Sequence, residues 1–218
     1  MRIYTATALL LIGFVMAPAP AQAQPEFVKD NVTKIVRKVG VHVNMSVREP
    51  LDGDVTKGTS FGGSVVLGGG RTPGWKYPVA LTTFNENLHG PGGEQFATLS
   101  SWAIVGGIGY GWNFGKLTTS AAVQTGVAFN SGRLDVNAAR AFNADGPVSL
   151  RVGNSLLLRP KLTLEYFITR KLTIRTSADY MLTRPNIAVT AAAGSIGDRW
   201  NASSFHATVG FGFYPFKK

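Results

Sequence analysis

His206 and Thr208 stand two residues apart in a segment whose side chains alternate between apolar and polar. An imidazole and a hydroxyl on one face are the makings of a base and a nucleophile, the pair that opens esters. Such a pair needs a third group to hold the base, and its sequence neighbours offer none. A second set of reactive types, Arg159, Lys161, Glu165, Arg175 and Asp179, lies on two adjoining segments with the same alternation. Cations and carboxylates so placed form an ion-pair network or line a narrow ion path. Buried charges must be paired, so the expected role is structural, a charged plug inside the fold. His42 and His89 complete the histidines, too few and too scattered to support a metal site. Cys is absent, which excludes thiolate metal sites and thiol nucleophiles. No metal and no cofactor are expected. Gly68-Gly69-Gly70 and Gly106-Gly107 with Gly109 lack the strand-to-helix setting and the Lys-Ser/Thr ending of a phosphate loop. Glycine facing a crowded interior is the better account of them.

The elements that carry these residues have a period of two. Leu156, Leu158, Leu162, Leu164 and Tyr166 share one phase, with Arg159, Lys161, Thr163 and Glu165 between them. Leu172, Ile174, Ala178, Tyr180 and Leu182 oppose Thr173, Arg175, Ser177, Asp179 and Thr183. Phe205, Ala207, Val209, Phe211 and Phe213 oppose His206, Thr208, Gly210 and Gly212. That is the period of a β-strand, whose side chains alternate between faces. One face is apolar and the other is polar or nearly bare. No apolar helix or second apolar sheet in the chain could cover the apolar face, so the expected cover is lipid.

The same reading runs upstream. Val39, Val41, Val43, Met45 and Val47 alternate with Gly40, His42, Asn44, Ser46 and Arg48. Further strands are expected over Thr59–Gly69, from Trp75 to Leu81, over Ala97–Trp112 and over Leu117–Phe129, making about eight in all. Expected loops are Glu49–Gly58, Asn85–Gln95, Asn130–Asn154 and Arg184–Trp200; the other connections are short turns. Long and short connections therefore alternate, which puts every long loop at one end. Trp75, Tyr77, Tyr110, Trp112, Tyr166, Phe211, Phe213 and Phe216 gather near the turn end, as an interfacial aromatic girdle does. No stretch after the N-terminal leader reads as a membrane-spanning helix, so a membrane form must be a closed barrel, with no open sheet edge in lipid.

Charged residues are 16% of the 218, and the formal net charge is +10. The basic residues form no Arg/Lys helix and no aromatic-basic motif, so no nucleic-acid partner is expected. Several sit at turns and loops, where anionic head groups would lie. Residues 1–23 read as a signal peptide: Arg2, an apolar run from Ala6 to Ala17, and small residues in Ala21-Gln22-Ala23. Residues 24–38 are expected to be a periplasmic lead-in, with a short helix as one form, and 39–216 the barrel.

Over about Val39 to Phe216 the chain resembles the small eight-stranded outer-membrane β-barrels, the OmpA-like transmembrane domain and the OmpX group. The resemblance rests on strand number, loop asymmetry and the aromatic final strand. It implies an all-β, eight-stranded antiparallel transmembrane barrel with short periplasmic turns and longer external loops. It implies residence in the outer membrane of a Gram-negative-type bacterium, among outer-membrane lipid and lipopolysaccharide, after handling by the barrel-assembly machinery. The expected role is non-enzymatic, structural or in surface interaction, with an external partner met through loops 130–154 and 184–200. Three other readings stay open. One is a narrow channel for ions or small solutes. Another is a lipid-modifying enzyme, because His206-x-Thr208 resembles the His-x-Ser pair of the lipid A deacylases. The last is a secreted soluble barrel with the faces inverted, carrying an apolar ligand.

Overall fold

The computed structural model describes residues 38–51, 58–89, 93–136, 138, 146–191 and 194–215. The expected signal peptide, the lead-in up to residue 37, and Phe216 lie outside the described residues. The strands are β1 (Gly40–Pro50), β2 (Gly58–Leu67), β3 (Gly74–His89), β4 (Gln95–Phe114), β5 (Leu117–Leu134) and β6 (Ser149–Val152). They continue with β7 (Ser155–Phe167), β8 (Leu172–Thr183), β9 (Asn186–Ala191), β10 (Gly194–Arg199) and β11 (Ser204–Phe213). Eight of them close into an antiparallel barrel in the order β1-β11-β8-β7-β5-β4-β3-β2, and β10-β9-β6 form a separate three-stranded sheet.

The register fixes the size of the barrel. A row of paired residues starting at Trp112 passes through Thr119, Leu164, Thr176, Val209, Met45, Phe61 and Thr83 and meets β4 again at Trp102. The row has slipped along β4 by 112 − 102 = 10 residues, which is the shear. With ~3.3 Å per residue and ~4.8 Å between strands, eight strands at this shear tilt by about 40° around a radius of about 8 Å. An interior of that width is filled by side chains.

The faces are apolar outward and polar inward. Val43, Leu162 and Phe211 stand exposed outside, while Ser46, Arg159, Thr163, Glu165 and Asp179 are buried inside. The soluble-carrier reading needs the opposite polarity and is corrected by these faces. Trp75, Tyr77, Tyr110, Trp112, Tyr166, Phe211 and Phe213 are all exposed around the turn end. Trp75 meets Tyr110 edge to face at 5.6 Å, and Tyr110 meets Trp112 at 5.3 Å.

Three expected loops are more ordered than their sequences suggested. The β3–β4 hairpin continues to His89 and Gln95, so most of Asn85–Gln95 is strand. Strand β5 runs to Leu134, and β6, β9 and β10 are built from Asn130–Asn154 and Arg184–Trp200. The reason is a change of surroundings. Beyond the apolar belt the outward positions, such as Asn85, Ser100 and Arg133, are polar. The inward ones, such as Phe84, Leu88, Ala97 and Leu99, are buried and apolar. The alternation persists but changes sign, and a search for apolar-out strands loses it there.

Two glycines show why the small residues matter. Gly115, at φ 68°, lets β4 turn into β5, with Phe114 opposite Leu117. Gly126 points inward on β5, where an added Cβ would collide with the Ile104 carbonyl oxygen of β4. Backbone cannot swing aside. Gly126→Val is expected to cost about 1–3 kcal/mol by overpacking, read as a lower urea midpoint of the vesicle-embedded barrel. Gly153→Ala at the loop end, whose nearest new contact would be 3.6 Å away, is expected to leave that midpoint unchanged.

Candidate functional site

The chemistry predicted from the sequence lies inside the barrel, in tiers. At the turn end, Glu165 of β7 is the centre. Its Oε1 accepts from Thr173 Oγ1 at 2.9 Å and lies 3.0 Å from His42 Nε2. The Tyr214 hydroxyl reaches Oε1 at 3.0 Å and Oε2 at 2.9 Å. Tyr214 follows β11 in its inward phase and lies in the lumen, against His42 and Phe167 at 5.7 and 5.4 Å between ring centroids. Arg71 of the β2–β3 turn lies over the outer side of this group, 4.9 Å from the Phe167 ring centre.

The middle tier is centred on Asp179 of β8. Arg159 grips it with two hydrogen bonds, Nε to Oδ1 at 2.5 Å and Nη2 to Oδ2 at 2.8 Å. Lys161 Nζ is 3.6 Å from Oδ2. Such a two-pronged guanidinium–carboxylate contact fixes direction as well as charge. Register explains the meeting, since Lys161 pairs with Asp179 across β7 and β8. Ser46 and Thr208 share a hydrogen bond of 2.7 Å in the same layer.

Above it, Arg48 of β1 forms an ion pair with Glu86 of β3. Its Nε donates to Ser204 Oγ at 2.8 Å and Nη2 to the Ala202 carbonyl at 3.1 Å, and the guanidinium lies 4.6 Å from the Phe84 ring centre. The loop end is then closed by apolar packing of Phe84, Ala103, Val105, Ala128, Leu157 and Met181. Leu88 and Ala97 continue it, packed by Leu134, Leu150, Ile187 and Trp200. Through Leu150 and Ile187 the three-stranded sheet joins this lid.

No protein-family model matches the chain, and no curated protein matches it. Solved structures do match. The outer membrane protein OprG from Pseudomonas aeruginosa is similar at TM-score 0.66 and 12% identity, over 80% of this chain and 94% of that one. AlkL, solved in DMPC lipid bilayers, is similar at TM-score 0.52 and 11% identity, over 90% of this chain and 95% of that one. Neisserial surface protein A gives 0.51 and 13%, over 81% and 95%. The fold is that of the small outer-membrane β-barrels. At such identities the likeness concerns the backbone path, and the filling of this barrel must be read from its own residues.

The five charged residues expected to form one network fall into different sets. Arg159, Lys161 and Asp179 come together, while Glu165 is held by His42, Thr173 and Tyr214. Arg175 lies opposite Glu165 in the register, yet its hydrogen bond goes to Ser64 Oγ at 3.4 Å. Sequence reasoning missed Arg48, Glu86 and Tyr214. Arg48 was already in the inward phase of β1. Glu86 was hidden in an expected loop, and Tyr214 lies one residue beyond the end of β11, in that strand's inward phase.

His206 and Thr208, the pair on which the open enzyme reading rests, do not meet: Thr208 bonds to Ser46. His206 instead has Ser204 Oγ 2.9 Å from Nε2 and Asp179 Oδ1 4.0 Å from Nδ1. This has the order of a nucleophile, base and acid. It lacks their working geometry: Asp179 is taken by Arg159, and Ser204 accepts from Arg48. Ser204 and His206 are both 0% exposed, which leaves no place for a lipid ester. Among the described residues, no group of three His, Cys, Asp or Glu side chains is placed to hold a metal.

Proposed function

We propose that this chain is a non-enzymatic outer-membrane barrel whose lumen is a plug and whose working surface is its loop end. One observation carries the reading: the interior is occupied along its length by the Glu165 and Asp179 clusters, the Arg48–Glu86 pair and the apolar lid. A barrel of this width with a filled centre offers solutes no continuous water path. The outward apolar belt, rimmed by aromatics, fits outer-membrane lipid and lipopolysaccharide as its surroundings. Export by a cleaved signal peptide and insertion by the barrel-assembly machinery belong to the same reading. Exposed Arg133, Arg151 and Arg184 surround the three-stranded sheet, which suits an anionic glycolipid or an external partner. Planar-bilayer recording of the refolded chain is the test. Silence at 100 mV is expected, and steady unitary steps would replace the plug with the narrow-channel reading.

A further inference from the structure

A cavity of about 50 Å³ lies between the Glu165 and Asp179 clusters, and its lining has more positive than negative charge. Arg159, Lys161 and Arg175 face it, with Glu165 and the nearby Asp179 as the carboxylates. Lys76 also lines it. Both carboxylates are engaged elsewhere. Asp179 is gripped by Arg159, and the Glu165 oxygens accept from Tyr214 and Thr173 and lie beside His42. Arg175 is only 8% exposed, its Nε has no hydrogen-bond partner, and no carboxylate among the described residues comes within ion-pair distance of it. Lys161 lies 3.6 Å from Asp179 Oδ2, an oxygen it shares with Arg159. Arg175 thus lies opposite Glu165 with no direct ion pair to it and only Ser64 Oγ as a hydrogen-bond partner, and a buried guanidinium so weakly engaged is disfavoured.

We propose that this cavity binds a small monovalent anion, of halide size, between Arg175 and Lys161. Gln124 and Asn44 line the same space, and each has an amide N–H₂ able to turn toward an anion. A water needs roughly 10–15 Å³ of such space, so the cavity takes a halide with a water or two but no extended organic acid. Tyr214 lines it on the turn side. The anion is therefore a structural counter-ion captured as the barrel closes, an inference that rests on the plugged-lumen reading.

The chain is refolded into micelles and crystallised with sodium bromide as the only halide, and data are collected at the bromine absorption edge. An anomalous peak inside the barrel, touching Arg175 and Lys161, is expected, and Arg175→Gln should erase it. A lumen without a peak, holding water alone, overturns the proposal, as does a peak that survives in the variant. The wild-type barrel in vesicles supplies a second readout that needs no variant. At fixed ionic strength its unfolding equilibrium constant should fall about tenfold for each tenfold rise in bromide above the dissociation constant, with gluconate as the balancing ion. Equal stability in bromide and gluconate also overturns it. A silent bilayer with no lumenal peak removes the anion site alone; unitary steps with a lumenal peak remove the plug, and with it the anion's structural role, and leave a bare binding site.

Discussion

Asp179→Asn is expected to destabilise the folded barrel by about 3–5 kcal/mol, the usual result of removing one partner from a buried ion pair. Asp179 is 2% exposed and is the carboxylate that both Arg159 and Lys161 contact. The amide keeps the size of the side chain, so no cavity is created and the loss is electrostatic. It leaves two cations on β7 facing a neutral group, inside a lumen whose other nearby carboxylate is already held by Tyr214, Thr173 and His42. Urea unfolding in vesicles, followed by fluorescence of the lipid-facing Trp102 and Trp112, measures the change. The double variant Arg159→Gln with Asp179→Asn should recover much of the loss, because removing both partners strands no charge. A single-variant cost below about 1 kcal/mol would mean that the pair is bathed in water, as exposed pairs are. The plug would then have to be abandoned for an open lumen.

How much of this was legible beforehand depends on what each strand faces. Where the outside is lipid, the sequence has one unambiguous solution. Leu156 to Tyr166, Leu172 to Leu182 and Phe205 to Phe213 must alternate, because a charge on the wrong side would stand in hydrocarbon. The barrel, its strand number and its turn end followed from that. Beyond the belt, water wets the outside and the lid must be apolar inside. Asn85, Glu86, Asn87 and Leu88 then look like loop residues although they continue β3. The same change of sign hid β6, β9 and β10. Which lumenal charges meet was less legible still. Alternation places Arg175 and Glu165 inside and even opposite each other, and carried one residue past β11 it turns Tyr214 inward too, but it cannot show that Tyr214 takes the carboxylate. That choice is made by the tilt of the strands and by long side chains crossing the lumen.

Leu162→Lys is the sharpest test of the lipid-facing reading, and it is expected to cost about 2–4 kcal/mol, the value for a cation at the bilayer midplane on a barrel exterior. Leu162 is 64% exposed on β7 and pairs with Ala121 and Ala178. Its small neighbours leave it standing clear of the surface, and the nearest outward polar groups, Thr119 and Thr176, carry no charge to pair with a cation. Ala178 is six residues along β8 from Leu172 at the turn end, which at a tilt of about 40° is roughly 15 Å of depth. A lysine at 162 is thus too deep to bring its ammonium to the interface without distorting the bilayer. Leu172→Lys, in the aromatic rim, should cost only about 0–1 kcal/mol. The contrast between the two sites carries the information. For a barrel bathed in water both substitutions are exposed Leu to Lys changes, worth little and worth the same. Equal costs in vesicle unfolding would therefore show that the apolar belt does not lie in lipid, whatever the shape of the fold. A steep loss at 162 with little at 172 fixes the depth at which the barrel sits.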